Sequence, residues 1–187
     1  MARSLLLSLL LGATLLTACA PSQGRAGEAH ATIAILNAPT QSRLAGVADL
    51  VQDDLTKRAD APFDFVSAFT LRFLETHNDM FHSRAAPSAG RIARSHGADL
   101  AVMVSAGVLE REVTETGKGD TRRVDVSLAL EAQVVDPRND SVVQVLRTRT
   151  HKGSRVESVS LPLPDTHADP TALALSERAA PELALSR

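Results

Sequence analysis

Between Arg123 and Gln133 the chain alternates in character. Val124, Val126, Leu128, Leu130 and Ala132 hold one parity, and Arg123, Asp125, Ser127, Glu131 and Gln133 the other. A period of two sends the two sets to opposite faces of an extended strand, so this segment reads as a half-buried antiparallel β-strand. Upstream, Leu100 to Leu109 is a continuous apolar run, the pattern of a central strand covered on at least one face. Gly117-Lys118-Gly119-Asp120 marks a turn between the two. Asp136-Pro137-Arg138-Asn139-Asp140 then turns the chain into a last strand, about Ser141 to Thr150.

The first half supplies the helices. Ala31 to Leu36 is short, apolar and rich in β-branched residues, a buried strand ended by Asn37-Ala38-Pro39. Leu44, Val47, Ala48, Val51 and Leu55 recur at spacings of three and four, which predicts an amphipathic helix over about Ser42 to Arg58. Phe63 to Ala68 reads as a second strand, and Leu71 to Phe81 as helix followed by loop. Ser88 is placed to cap a helix over Ala89 to His96, with Gly97 as its left-handed stop. The order β-α-β-α-β-β-β over residues 31–152 predicts a single α+β domain, a mixed sheet with helices packed on one face. Residues 153–187 contain Pro162, Pro164, Pro170 and Pro181 among Ala, Leu, Ser and charged residues, and read as a disordered tail.

The N-terminus has its own signature. One positive charge, Arg3, precedes an apolar stretch from Leu5 to Leu16, too short for a bilayer-spanning helix, which needs about 20 residues. The stretch ends in Leu16-Thr17-Ala18-Cys19, and Cys19 is the only cysteine of the chain. This resembles the lipobox of bacterial lipoproteins. The resemblance implies removal of residues 1–18 as a signal peptide and attachment of lipid to Cys19, the one thiol available for a thioether to diacylglycerol. Ala20 rather than Asp follows the cysteine. In lipoproteins of Gram-negative type that implies a periplasm-facing outer-membrane anchor. Residues 20–30 read as a flexible tether with an r.m.s. span of about 18 Å.

Within the domain, Ile33-Ala34-Ile35-Leu36, the stretch Ala93 to Val104 with its Gly97-Ala98-Asp99 corner, and Leu128 to Asp136 with the turn to Val142-Val143 carry a further resemblance. They are similar to the α/β domain shared by CsgG-type lipoproteins, LpoB-type activators of penicillin-binding proteins and the N-terminal domain of TolB. The resemblance covers residues 31–152 and rests on structural corners. Asn139-Asp140 stands where such domains carry a turn glycine.

Composition narrows the chemistry. Twenty Lys and Arg against 22 Asp and Glu, with no Trp, no Tyr and five Phe, provide neither the basic field nor the aromatic platforms of a nucleic-acid binder. A single cysteine excludes an intrachain disulfide and a multi-cysteine metal site. His77, Asp79 and His82 are the only close set of metal-type ligands, and on a helix the two histidines lie about 140° apart. Gly117-Lys118-Gly119-Asp120 lacks the spacing of a phosphate-binding loop. No catalytic signature and no cofactor site emerges.

The remaining candidates are Arg147, Arg149 and His151, placed by alternation on one side of the last strand, with Lys152 beyond. Two readings are open for them. One is contact with a partner or with anionic lipid headgroups; the other, favoured, is cross-strand pairing with Glu110, Glu112 or Glu131. The expectation is a membrane-anchored, non-enzymatic envelope lipoprotein that binds an unidentified envelope protein. The alternative is an auxiliary lipoprotein of an ABC lipid-transport system or a small-ligand carrier.

Overall fold

The computed structural model describes residues 31–38, 44, 46–58, 63–77, 86–117 and 119–183. Cys19, the signal segment, the tether, Asp79 and His82 lie outside the described residues. The elements in chain order are β1 (Ala31–Asn37), α1 (Val47–Arg58), β2 (Phe63–Phe65), α2 (Ala68–His77) and α3 (Ala86–Ser95). They are followed by β3 (Leu100–Glu115), β4 (Thr121–Asp136), β5 (Ser141–Arg147), β6 (His151–Ser158), a 3-10 turn (Thr166–Ala168) and α4 (Pro170–Leu183). One mixed sheet runs β2-β1-β3-β4-β5, and β6 pairs with β4 as well. β1 is parallel to both β2 and β3, whereas β4 is antiparallel to β3, β5 and β6.

The mixed sheet and the α+β class agree with the sequence; the placement of the helices differs. They divide between the two faces rather than sharing one. Ile33, Ile35, Val102, Val104 and the apolar parity of β4 pack with Val47, Ala48 and Val51 of α1 and Ala172, Leu175, Ala179, Ala180 and Leu183 of α4. On the reverse face, Ala34, Leu36, Ala101, Met103 and Val135 pack with Leu71 of α2 and Ala89, Ile92 and Ala93 of α3. The cause lies in β1 and the start of β3, which are apolar on both parities and so need cover on both sides. Leu128 and Leu130 are fully buried on the α1/α4 face, as the alternation requires.

The expected disordered tail is instead part of the domain. β6 pairs with the first half of β4 from Thr121↔Ser158 to Leu128↔His151, and α4 buries six residues, Ser176 among them. Helix α1 lies over β1 and β3, and α4 supplies the cover that the apolar parity of β4 requires. Gly153 lets it approach, since a Cβ there would lie 2.9 Å from Thr171 Cγ2 and 3.4 Å from Leu175.

The expected last strand, about Ser141 to Thr150, stops at Arg147, and a separate strand β6 begins at His151. Thr148 lies in the break: its N–H donates to Leu130 O (3.0 Å), while its Oγ1 accepts from Leu130 N–H (3.0 Å) and donates to Arg149 O (2.9 Å). Helix α3 begins at Ala86, so Ser88 lies inside it rather than capping it. It ends as expected, with Gly97 at φ +69°, Ala98 N–H on Ala93 O and Gly97 N–H on Arg94 O. At the β4–β5 turn Asp140 takes the left-handed conformation at φ +56°, which an aspartate tolerates better than most residues.

Candidate functional site

The break at Thr148 removes the predicted cationic stripe. Arg147 lies on the face turned away from α4, where its Nε is 2.7 Å from Glu131 Oε2. Hydrogen bonds from Gln133 first, and from Arg147 after it, hold the Glu131 carboxyl below its ordinary range despite partial burial. Arg149 and His151 turn instead to α4. Arg149 Nε is 2.9 Å from Glu182 Oε1, and the buried His151 brings Nε2 to 3.2 Å from the same oxygen, outside hydrogen-bond geometry. Lys152 is exposed, paired in register with Ser127 on the opposite face. Thus Arg149 and His151 converge on one carboxylate, and Arg147 and Lys152 stand apart from them. Glu182 was not among the acidic partners considered from sequence, because its segment read as tail.

Two other polar clusters are built into the fold. At the C-terminal end of β1, the fully buried Glu75 accepts from Asn37 N–H (2.7 Å), Asn37 Nδ2 (2.9 Å) and the Arg72 guanidinium. Arg72 also donates to Asp49 (2.9 Å) and to Ile35 O (2.9 Å), and Asn37 Oδ1 accepts from Ala48 N–H (3.2 Å). This network fastens the start of α1 and the second half of α2 to the end of β1. In sequence Asn37 is only a strand stop, and Glu75 is one polar residue of the segment read as helix followed by loop.

At the start of α4, Asp169 is fully buried and hydrogen-bonded to Arg155 and Thr171, with Arg111 Nη1 3.6 Å from its other oxygen. Burial opposes ionisation of Asp169, but Arg155 and the N–H of Thr171 outweigh it and hold its pKa below the ordinary value. Hydrogen bonds from Arg155 and Arg122 likewise lower the pKa of the neighbouring Glu157. Each cluster joins one element to another. Among the described residues, no group of three metal-type ligands forms and no helix is long and apolar enough to cross a membrane.

What the fold leaves open is strand edge. β1 accompanies β3 only as far as Asn37↔Val104, and Ala38 N–H closes that pairing on Val104 O at 2.8 Å. Residues 105–115 of β3 then run on with β4 as their only partner strand among the described residues. β5 ends the sheet on the other side, with Val142, Val143 and Val145 between 42% and 48% exposed. A β-bulge interrupts each edge, at Ala106/Val108 and opposite Val134/Val135. Unpaired edges of this kind are where another chain adds a strand.

The architecture is thus that of a single-domain α+β protein with a mixed sheet covered by helices on both faces. No family model and no curated protein matches the chain. Among solved structures it is similar to lipoprotein GNA1162 from Neisseria meningitidis, at 12% identity and a TM-score of 0.41, covering 72% of this chain and 87% of that one. It is also similar to the PelC dodecamer from Paraburkholderia phytofirmans (11% identity, 88% and 92% covered, TM-score 0.38). A third is the C-terminal domain of LpoB from Salmonella enterica (18% identity, 71% and 87% covered, TM-score 0.38).

Proposed function

We propose that this chain is a bacterial envelope lipoprotein, anchored through Cys19 and facing the periplasm, that binds a protein partner without catalysing a reaction. The anchor rests on the short apolar stretch ending in the sole cysteine. The observation that carries the binding role is strand edge left unpaired among the described residues, on residues 105–115 of β3 and on the valine-bearing β5. Absence of catalysis accords with the use of the buried charges: Glu75 and Asp169 are engaged by arginines and backbone N–H groups that fasten helices to the sheet.

Labelled palmitate feeding, fractionation and photo-crosslinking in a bacterial host test both halves. Wild type should take up label and sediment with membranes, and Cys19→Ala should do neither. A photoreactive residue at position 113 or 145 should form an adduct with another envelope protein. Membrane-bound wild type retaining residues 1–18 intact would refute the anchor, and the absence of adducts at both positions would refute the binding role.

A further inference from the structure

The β3 edge has a definite chemistry. Leu130 N–H points toward Thr148, and Thr116 N–H toward Thr121 O. By antiparallel alternation, residues 108, 110, 112 and 114 then spend their backbone groups on β4, and Leu109, Arg111, Val113 and Glu115 present theirs outward. None of those outward backbone groups has a hydrogen-bond partner among the described residues.

The side chains along this edge sort by face. Glu110 and Glu112 project on the face away from α4, opposite Ser127 and Asp125 in β4. Asp125 is engaged by Arg123 Nε at 3.0 Å, whereas Glu110 and Glu112 have no ion partner among the described residues and are exposed. On the α4 side stand Leu109, Arg111 and Val113. Arg111 is taken up by Pro164 O (2.6 Å) and Asp169, so this side offers an incoming strand mainly Leu109 and Val113, the latter 41% exposed.

Resting on the protein-binding reading, we infer that residues 109–115 of β3 accept an extended partner segment in which Lys or Arg alternates with β-branched apolar residues. One parity of such a segment would neutralise Glu110 and Glu112 while the other covers Leu109 and Val113. Outward backbone groups would supply the hydrogen bonds. The same charges act against a second copy in the registers centred on residues 110–112. A two-fold antiparallel pair centred on residue 112 sets Glu112 against Glu112, and one centred on residue 111 sets Glu110 against Glu112; like charges directly opposite repel. The edge therefore selects by charge.

The probe is a blocked heptapeptide, acetyl-Thr-Lys-Val-Lys-Val-Lys-Thr-amide, with the Glu-for-Lys peptide as control. Both are added to the full membrane-extracted chain and followed by single-residue hydrogen exchange. The Lys peptide should slow exchange at Leu109, Arg111 and Val113, and the Glu peptide should not. Glu110→Lys/Glu112→Lys, at two exposed positions, should weaken the Lys peptide by roughly tenfold or more and admit the Glu peptide. Were that variant not to fold, wild type still decides the matter, because its protection by the Lys peptide should fall as salt is raised.

Equal protection by both peptides, or protection confined to Val142–Arg147, overturns the inference. So does protection of the same amides on concentrating the protein without peptide, which assigns the edge to a second copy. If position 145 forms an envelope-protein adduct in the membrane while residues 109–113 stay unprotected, only the charge-selective edge is lost. If neither position 113 nor 145 forms an adduct, the binding reading fails with it.

Discussion

The carboxylate of Asp169 accepts from Arg155 and, with the same oxygen, caps the first turn of α4 by accepting from Thr171 N–H at 2.9 Å. One fully buried side chain therefore ties the last strand to the last helix. Asp169→Ala removes a helix cap, an effect of about 1 kcal/mol, and strips Arg155 and Arg111 of their shared counter-charge. Breaking a buried pair from one side typically destabilises by about 3–5 kcal/mol, and the lower end applies because Arg155 keeps Glu157 at 2.8 Å. The expected loss in chemical denaturation is therefore several kcal/mol, with Asp169→Asn losing less because its amide oxygen retains the cap.

Asp169, Glu157 and Glu131 all have folded-state pKa values below their ordinary ones. The unfolded chain therefore takes up protons first as pH falls. The stability these groups contribute is complete above the ordinary values of 3.8 and 4.5 and is lost as pH drops through the lowered folded values. Denaturation midpoints should fall through the acid range below about pH 4.5. Asp169→Asn should flatten that slope, and an unchanged slope would show that Asp169 does not contribute to it.

Thr148 separates β5 from β6 while keeping Leu130 N–H satisfied through its own hydroxyl. Thr148→Val preserves shape and leaves a buried donor without its acceptor, a loss of about 1–3 kcal/mol. Thr148→Ser, which retains the hydroxyl, should recover most of it. Urea titrations of the three proteins decide between this and a purely steric role for the β-branched side chain.

Much of the sheet was legible because its signals are local. The alternation over β4 identified the buried parity that includes Leu128 and Leu130, and Gly97 identified the end of α3. Three features depended on distant partners. Thr148 reads as one more strand residue until Leu130 N–H is seen to use its hydroxyl. His151 and Arg149 read as one stripe with Arg147 until Glu182 is known to lie beside them. The helix from Pro170 is poor in large apolar residues and contains Pro181. It packs largely through Ala172, Ala179 and Ala180, small residues that bring a helix close to a sheet but leave a faint hydrophobic pattern. Sheet edges are least visible of all, because a strand's sequence does not state which neighbour stops short.

The strongest test of the C-terminal segment is to remove it in steps. Leu175 and Leu183 are 3% and 2% exposed within the main core, among residues of α1 and β4. Leu175→Ala should destabilise by about 2–5 kcal/mol, the usual range for deleting buried methyl-bearing carbon with incomplete collapse. Truncation before Pro170 removes all six buried residues of α4 and uncovers Val124, Val126 and Leu128. The remaining chain would expose a contiguous apolar face and is expected to lose its cooperative thermal transition rather than melt a few degrees lower. Calorimetry of the truncated protein and the Leu175→Ala variant separates the cases. A sharp transition near the wild-type temperature after truncation would mean that α4 adds nothing to the core, and α1 and the sheet suffice without it.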